Sequence, residues 1–288
     1  MKNVAIVIPN RNGYNALPLC IESIRARTDY PHKIIVYDDF SSYKENGQIN
    51  RNLIDLEYLR ECRDKGWIEL HEGEKGIGHG GALNFLLNER CKDEFDYAAI
   101  LDGDLYITES GWLEAMIDEA EKDEMTLAVC DHKAKGYCPG GYRPALYFFW
   151  FGLIKLSVYR DDMQVDWSQR RADRREEPYL SEFADLYPPE KNECWNLYMS
   201  RGWDRDYFDR DLVKFDPGCT FDIKLKYYNP KGYKAVPVPG KARRAYVHYV
   251  HCSYYLDPHN KLEGRDARRR DEKILSIKTE LEKLRCQS

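Results

Sequence analysis

The chain has 288 residues, of which 43% are hydrophobic and 32% are charged, so it can build one large domain or two small ones with a well-solvated surface. Its net charge of −5 disfavours binding of nucleic acid through bulk attraction to phosphates. The nine cysteines are scattered without a C-x-x-C pair, a pattern that is typical of neither a disulfide framework nor a zinc site and indicates reduced, buried thiols.

The first half of the chain alternates short apolar runs with segments of helical periodicity. The runs predict strands over residues 4–8, 33–37, 67–70, 97–101 and 126–130. The periodic segments predict helices over residues 17–27, 52–65, 80–90 and 111–122. This alternation predicts an α/β fold with a single Rossmann-like, mostly parallel sheet that is flanked by helices on both faces.

Polar residues follow three of the predicted strands. In chain order they are Pro9-Asn10-Arg11, Asp38-Asp39 and Asp102-Gly103-Asp104. Because ligands of such sheets bind at the carboxyl ends of the strands, the three segments predict one cleft.

The acidic pair in the third of these segments is unusual for the end of a buried strand. Carboxylates that lie close together repel one another, so Asp102 and Asp104 make sense if a cation lies between them. Their hard oxygen ligands suit Mg²⁺ or Mn²⁺, and Gly103 lets the backbone turn beside a ligand. A solvated corner is the alternative, since Asp-Gly is also a common turn dipeptide.

The second half of the chain is less regular. Its longest apolar stretch, residues 145–154, is too short to span a membrane and is expected to line a cleft or to lie against a membrane surface. Residues 159–189 are rich in Arg and Asp and predict a mobile loop, with an exposed helix as the alternative. The segment 265–286 predicts a C-terminal helix with one apolar stripe, which packs on the domain or contacts a second copy or a membrane surface. The stripe consists of Ile274, Ile277, Leu281 and Leu284.

The amino-terminal residues lead straight into a strand pattern, without the features of a signal peptide. Together with the scattered cysteines, this pattern predicts a cytoplasmic protein without a transmembrane segment.

Four segments in this order carry a family resemblance: residues 4–12, 34–42, 102–104 and 201–208. They are similar to the opening strand, the V-D-D-x-S segment, the D-x-D metal motif and the G-[FW]-D-E-x-F segment of the inverting nucleotide-sugar glycosyltransferases of family 2. Weaker likeness over residues 218–236 extends the resemblance to about residues 3–250.

The resemblance implies the GT-A fold and a catalytic domain over residues 1–250. Residues 1–130 would form the nucleotide-sugar-binding half and residues 131–250 an irregular acceptor-side half. Residues 251–288 would form a C-terminal extension with the predicted helix.

The resemblance also implies where a nucleoside-diphosphate-sugar donor binds. The residues expected near its base and ribose are Pro9, Asn10, Arg11, Asp38 and Asp39. A carboxylate only accepts hydrogen bonds, so Asp38 or Asp39 would select the imide N–H of uracil or thymine, which favours a UDP-type donor; a capping or turn acid is the alternative. The glycine-rich segment 76–81 is expected near the donor, with His79, Gly80 and Asn84 as contacts.

For the metal, Mn²⁺ or Mg²⁺, the resemblance implies Asp102 and Asp104 as ligands, and Asp102 and Gly103 also as donor contacts. A histidine near the C-terminus often supplies a third ligand in such enzymes. His248 and His251 are the candidates, and alternation along a strand places them on opposite faces, so they are not expected to share one ion. His248 is favoured.

The segment that usually carries the catalytic base departs from the family pattern. Residues 218–222 have Cys219 and Thr220 where two acids are expected. Since a direct displacement needs a base for the acceptor hydroxyl, the candidates are Asp216, Asp222 and Asp204, and retention of anomeric configuration stays open.

The prediction is a metal-dependent glycosyltransferase that transfers a sugar to a hydroxyl of a glycan or another acceptor, in glycan synthesis. One alternative is a nucleotidyltransferase. The other is a non-catalytic protein that binds sugar nucleotides or glycans on a degenerate transferase scaffold, which the replaced acids would support.

Overall fold

A computed structural model describes most of the chain: residues 1–14, 16–46, 48–91, 93–132, 142–143, 147–167, 170–173, 212–215, 221, 224–225, 228–249 and 263–287. The strands, in chain order, are β1 (Val4–Asn10), β2 (His32–Asp38), β3 (Ser42–Glu45), β4 (Gln48–Arg51), β5 (Glu69–Glu72), β6 (Tyr97–Leu101), β7 (Leu105–Ile107), β8 (Thr126–His132), β9 (Tyr142–Arg143), β10 (Tyr147–Lys155), β11 (Arg170–Asp173), β12 (Leu212–Phe215), β13 (Lys234–Val236) and β14 (Tyr246–His248). The helices are α1 (Ala16–Arg27), α2 (Leu53–Asp64), α3 (Gly78–Leu83), α4 (Trp112–Glu121), α5 (Leu156–Val158), α6 (Gly240–Arg244) and α7 (Gly264–Gln287), and π-helical segments cover Asn84–Arg90 and Tyr159–Met163.

Seven strands form the central sheet, in the order β13-β8-β10-β6-β1-β2-β5. All neighbours in it are parallel except β10, which is antiparallel to both β6 and β8. Successive side chains of β1 point to opposite faces, so Ile6 joins a core with Leu17 of α1, whereas Val7 joins a second core with Leu86. The predicted fold class, a mostly parallel sheet covered by helices, is confirmed.

Element boundaries follow the predictions closely where apolar periodicity is strong. The helices expected over 17–27, 52–65 and 111–122 are α1, α2 and α4, each within one residue at either end. The helix expected over 80–90 begins at Gly78 and changes to π-helix at Asn84, and the strand expected over 67–70 lies two residues later, in β5.

The aromatic stretch expected to line a cleft or a membrane surface instead forms β10, in the middle of the sheet. Phe151 is 1% exposed and Ile154 is fully buried. A strand that is buried on both faces has a continuous apolar sequence, whether it is parallel or antiparallel to its neighbours. A stretch against a membrane surface is therefore not what these buried residues form, whereas Trp150 lies beside His248, with ring centroids 5.7 Å apart.

The start of the segment expected as a mobile loop also differs from that expectation. Tyr159 and Trp167 are fully buried, and the Trp167 indole N–H donates to the Tyr159 hydroxyl at 2.7 Å. Residues 170–173 form β11, which pairs with β12. The remainder, 174–189, lies outside the described residues.

The C-terminal helix α7 packs on the domain, as predicted. Ile277 is fully buried and Leu284 is 3% exposed, in a cluster with Ala16 and Leu19 of α1 and with Tyr106 of β7. Among the described residues, no helix is long and apolar enough to cross a membrane.

The described cysteines agree with the prediction of reduced thiols. Four of them are buried and unbridged: Cys20, Cys62, Cys91 and Cys130. Cys286 is free and exposed.

Candidate functional site

The polar ends of β1, β2 and β6 meet at one edge of the sheet, as the sequence predicts. The register of β1 with β2 places Asn10 beside Asp38. A Cβ atom on Gly103 would lie 3.5 Å from Oδ1 of Asn10, so the turn after β6 passes directly over the end of β1. Pro9, the first predicted contact, lies inside β1 and is buried.

Asp38 is fully buried, and its carboxylate is surrounded by donors. Asn10 Nδ2 donates to Oδ1 at 2.9 Å, and the Ser41 backbone N–H donates to Oδ2 at 3.0 Å. The Ser41 hydroxyl also donates to Oδ1, and Arg51 Nη2 lies 3.2 Å from Oδ2. Asp38 thus ties the ends of β1 and β2 to the hairpin of β3 and β4.

Asp39 connects the end of β2 with the glycine-rich segment. Its Oδ1 accepts the Ile77 backbone N–H at 2.6 Å, and its Oδ2 accepts the Gly78 N–H at 3.0 Å. Gly78 has φ +78°, in the left-handed region that favours glycine. Gly78 therefore serves a turn that Asp39 holds in place.

Arg11 lies between these elements, with its side chain about half exposed. Its Nη1 is 3.5 Å from Oδ2 of Asp39. A Cβ atom on Gly76 would be only 3.0 Å from the same nitrogen. A side chain at position 76 would therefore press on the end of the Arg11 side chain, which would have to shift by a few tenths of an ångström.

Asp102, Asp104 and His248 form the second part of the site. Each offers a ligand atom, and these atoms all lie within 4.8 Å of one another. Nε2 of His248 is 3.1 Å from Oδ1 of Asp104 and 3.7 Å from Oδ2 of Asp102. All three side chains are partly exposed, so they remain accessible to a ligand.

A short two-stranded sheet brings His248 to the acidic pair. Strand β14 runs antiparallel to β7, with His248 opposite Leu105, and the Tyr249 N–H donates to the Asp104 carbonyl at 3.0 Å. On the other side, the Asp102 N–H donates to the Trp150 carbonyl of β10 at 2.9 Å. Strand β10, which the sequence left unassigned, therefore helps to fix the turn.

The electrostatics of this cluster show an excess of negative charge. Burial raises the pKa of Asp102, and the charge of Asp104 raises it further, although His79 and His248 partly oppose both effects. Burial disfavours the charged form of His248, but its hydrogen bond to Asp104 and the charges of both aspartates outweigh this and raise its pKa. Burial and the two aspartates also raise the pKa of the Cys20 thiol, so Cys20 stays neutral.

The donor set fits a divalent cation. Two carboxylates and one imidazole suit Mn²⁺, and the carboxylates also suit Mg²⁺. A cation would stabilise the carboxylate of Asp102, whose pKa is raised by burial and further by the charge of Asp104.

The other predicted contacts are placed differently. Nε2 of His79 is 4.0 Å from Oδ1 of Asp102, and Gly80 is buried in α3. Asn84 instead holds the segment after the second π-helix, because its side chain donates to Asp166 at 2.6 Å and accepts the Trp167 N–H at 2.8 Å. The remaining candidates lie outside the described residues: His251, Asp204, Asp216 and Asp222.

Sequence reasoning missed the groups that support the site from behind. Ser41 belongs to a family motif that gives it no role, and Arg51 belongs to no motif. Trp150 lies in the aromatic stretch that was expected to line a cleft, but its contact with Asp102 was not predicted. Only the hairpin of β3 and β4 and the central position of β10 bring Arg51 and Trp150 to the strand ends.

Comparison with known proteins identifies a matching family profile. The profile of glycosyl transferase family 2 matches residues 5–176, more than half of the chain. No curated protein matches the sequence.

Solved structures with partial similarity include TarS residues 1–349 from S. aureus in complex with UDP-GlcNAc, at 17% identity and a TM-score of 0.38 over 56% of this chain and 47% of that one. Another is the mannosyltransferase PcManGT from Pyrobaculum calidifontis in complex with GDP-Man and Mn²⁺, at 16% identity and a TM-score of 0.40 over 57% and 49%. The alignments thus span about half the length of these structures.

Proposed function

Because the chain belongs to glycosyl transferase family 2, we propose that it is a metal-dependent glycosyltransferase of the GT-A type. It would move a sugar from a nucleoside-diphosphate sugar to a hydroxyl group of a glycan or another acceptor. The observation that carries the proposal is the convergence of Asp102, Asp104 and His248 at the sheet edge where β1, β2 and β6 end.

In this proposal Asp104, His248 and Asp102 hold Mn²⁺ or Mg²⁺. When bound, the cation supplies positive charge next to the diphosphate and favours its departure as a leaving group. Asp102, partly exposed beside His79, also faces the sugar and ribose. The cluster selects a donor with a diphosphate because the metal needs oxygen ligands beyond those of the protein.

The base and ribose would lie on the other side of the edge, along Arg11 and Asp39. Asp38 supports this surface from behind through its bonds to Asn10 and Ser41. Of the two carboxylates, Asp39 lies beside Arg11; besides the N–H groups of Ile77 and Gly78, its remaining lone pairs would accept the imide N–H of uracil, which favours a UDP-type donor.

The acceptor side is proposed to lie in residues 131–250, with the base for the acceptor hydroxyl among Asp204, Asp216 and Asp222. Residues 251–288 would form the extension that carries α7. The free buried thiols support the proposed cytoplasmic location, since they are typical of a reducing compartment.

The proposal is tested by incubating the purified protein with UDP- and GDP-sugars and Mn²⁺, and by measuring nucleoside diphosphate release. Asp104→Asn should lower turnover and Mn²⁺ affinity by at least about 100-fold, because a metal ligand loses its charge. The matched control is Asp118→Asn, which changes an exposed acid of α4 and should leave both values unchanged. Full turnover in Asp104→Asn would refute the metal assignment.

The products separate the alternatives. Release of pyrophosphate instead of nucleoside diphosphate would identify a nucleotidyltransferase. Binding of a nucleotide sugar with Mn²⁺, without turnover in the presence of acceptors or water, would identify a non-catalytic binding protein.

A further inference from the structure

Trp150 of β10 borders the metal cluster without being a ligand itself. Its backbone carbonyl accepts the Asp102 N–H at 2.9 Å. Its indole lies beside the imidazole of His248, with ring centroids 5.7 Å apart and ring planes inclined by 39°. Trp150 packs against the core, but it remains partly exposed. The charged ligands therefore have an aromatic surface directly next to them.

A bulge in β10 accounts for the exposure of Trp150 in an otherwise buried strand. Phe148 pairs with Asp131 of β8, and Gly152 pairs with the adjacent Cys130, so residues 149–151 have no counterpart on β8. Bulges of this kind redirect a side chain and are common next to active sites. Phe149 and Phe151 are 7% and 1% exposed, whereas Trp150 between them is only partly buried.

The orientation of the Trp150 indole is fixed from behind by Tyr246. The Tyr246 ring stacks on Phe151 at a centroid distance of 4.2 Å, and its hydroxyl receives a hydrogen bond from the Trp150 side chain. The same hydroxyl lies 3.4 Å from Oδ2 of Asp131, which Arg243 holds through Oδ1 at 2.8 Å. Because the indole N–H is engaged in this network, Trp150 offers a ligand its ring and not a polar group.

The position of Trp150 along the edge of the sheet matches the order of groups in a nucleotide sugar. Strands β2, β1, β6 and β10 are successive neighbours in the sheet. The first two end at the surface proposed for base and ribose, and β6 ends at the metal cluster. Phe151 pairs with Leu101 of β6, so Trp150 lies level with Asp102 and about 4.8 Å farther along the edge. A sugar beyond the diphosphate would therefore reach Trp150.

The chemistry of an indole ring suits a sugar at this place. A pyranose ring carries C–H groups on its faces and hydroxyl groups around its rim. Its C–H groups pack against the electron-rich face of an aromatic ring, and tryptophan offers the largest such face.

We propose that Trp150 is an aromatic platform that binds a pyranose ring next to the metal. The ring belongs either to the sugar of the donor or to the acceptor, since both meet beside the diphosphate. This inference rests on the proposed function, because that function places the diphosphate at the metal cluster.

The first arm of the test measures how much the sugar of the donor adds to binding. Calorimetry with Mg²⁺ compares UDP and GDP with UDP-glucose, UDP-galactose, UDP-N-acetylglucosamine and GDP-mannose. Trp150→Leu should weaken binding of the preferred nucleotide sugar about 3- to 10-fold, as expected for the loss of an aromatic contact, and leave the affinity for the nucleoside diphosphate unchanged. Trp150→Phe keeps an aromatic ring and should retain most of the affinity.

The second arm measures binding of an acceptor sugar. Saturation-transfer NMR with Mg²⁺ and the preferred nucleoside diphosphate gives the affinities for methyl β-D-glucopyranoside, methyl β-D-galactopyranoside and methyl N-acetyl-β-D-glucosaminide. A 3- to 10-fold weakening in Trp150→Leu in this arm alone would assign the platform to the acceptor. A weakening in the first arm assigns it to the donor.

Trp67→Leu is the matched control in both arms. Trp67 is also partly buried against the same core cluster, but it precedes β5 and so lies at the opposite edge of the sheet. This variant should bind nucleotides and sugars as the wild type does. Its unfolding midpoint gives the reference for the effect on folding of removing a packed indole.

Three outcomes would overturn the inference. The first is equal sugar affinity of Trp150→Leu and Trp67→Leu in both arms. The second is that the wild type binds none of the glycosides and binds no nucleotide sugar more tightly than its nucleoside diphosphate. The third is a loss of nucleoside diphosphate affinity as large as the loss of sugar affinity, which would show that Trp150 only supports His248.

The same variants separate this inference from the proposed function. If sugar binding depends on Trp150 but no nucleotide sugar is turned over, the proposed function fails and the platform stands. If turnover occurs and Trp150→Leu behaves as Trp67→Leu does, only the platform is refuted.

Discussion

Asp55 makes the stability of this protein depend on pH in a defined way. It lies in the first turn of α2, is 2% exposed, and neither of its carboxyl oxygens has a hydrogen-bond partner of ordinary geometry among the described residues. Burial raises its pKa from the ordinary 3.8 to about 7, and the charge of Asp38 adds to this. The nearby amides of Tyr14 and Gly13 and the side chain of Asn10 oppose the shift only in part.

The sign of the effect follows from proton linkage. The native state keeps the proton of Asp55 up to about pH 7, whereas the unfolded chain loses it near pH 3.8. The unfolding free energy therefore falls as pH rises through this window. At about 1.4 kcal/mol per pKa unit, the whole loss is about 4 kcal/mol, of which roughly 2.5 kcal/mol falls between pH 5 and pH 8.

The assay compares urea unfolding of the wild type and Asp55→Asn at pH 5 and pH 8. Asparagine resembles the neutral carboxyl group, so the variant should gain roughly 2.5 kcal/mol relative to the wild type between the two pH values. The contributions of groups other than Asp55 cancel in this difference. The control Asp118→Asn, which changes an exposed acid, should show almost no pH-dependent difference from the wild type. A wild-type-minus-variant difference that does not change with pH would refute the assignment of the raised pKa to Asp55.

Two further predictions concern the site and its supporting helix. His248→Gln should lower Mn²⁺ affinity about 10- to 100-fold. Because His248 must lose its proton to bind the metal and its pKa is raised, the Mn²⁺ affinity of the wild type should increase with pH above the ordinary histidine range. In a calorimetric titration the variant should lack this increase. Ile277→Ala, at a fully buried position of α7, should lower the unfolding free energy by about 2–4 kcal/mol in a urea titration. The control Leu275→Ala, at a position that is 68% exposed, should change it by less than about 0.5 kcal/mol. Equal losses in the two variants would show that α7 does not pack as described.

The sheet was largely predictable because its parallel strands are buried on both faces. Continuous apolar runs therefore identified β1, β2 and β6, and periodicity identified α1, α2 and α4. Strand β10 escaped prediction because the same composition suits a membrane-facing or cleft-lining segment. Its antiparallel insertion between β6 and β8 depends on pairings with distant residues.

The site was predictable where its chemistry follows a strand. Asp102 and Asp104 are recognisable from the sequence alone, since two acids at the end of an apolar run need a cation or solvent beside them. The roles of Asp38 and Asp39 were harder to predict, because a carboxylate that binds a base and one that holds a turn have the same sequence signature. In the structure, Asp38 holds Asn10, Ser41 and Arg51 together, and Asp39 holds the loop at Gly78.

The sequence by itself determined β1, β2 and β6, the helices α1, α2 and α4, and the acidic pair, because burial and helical periodicity are local properties of the chain. Only the tertiary structure decided that His248 joins Asp102 and Asp104, since 144 residues separate His248 from Asp104 and no local pattern encodes the pairing of β14 with β7. It also decided that α7 packs on α1. Both outcomes depend on contacts between distant segments, where the favourable burial of side chains must exceed the entropy lost on closing long loops.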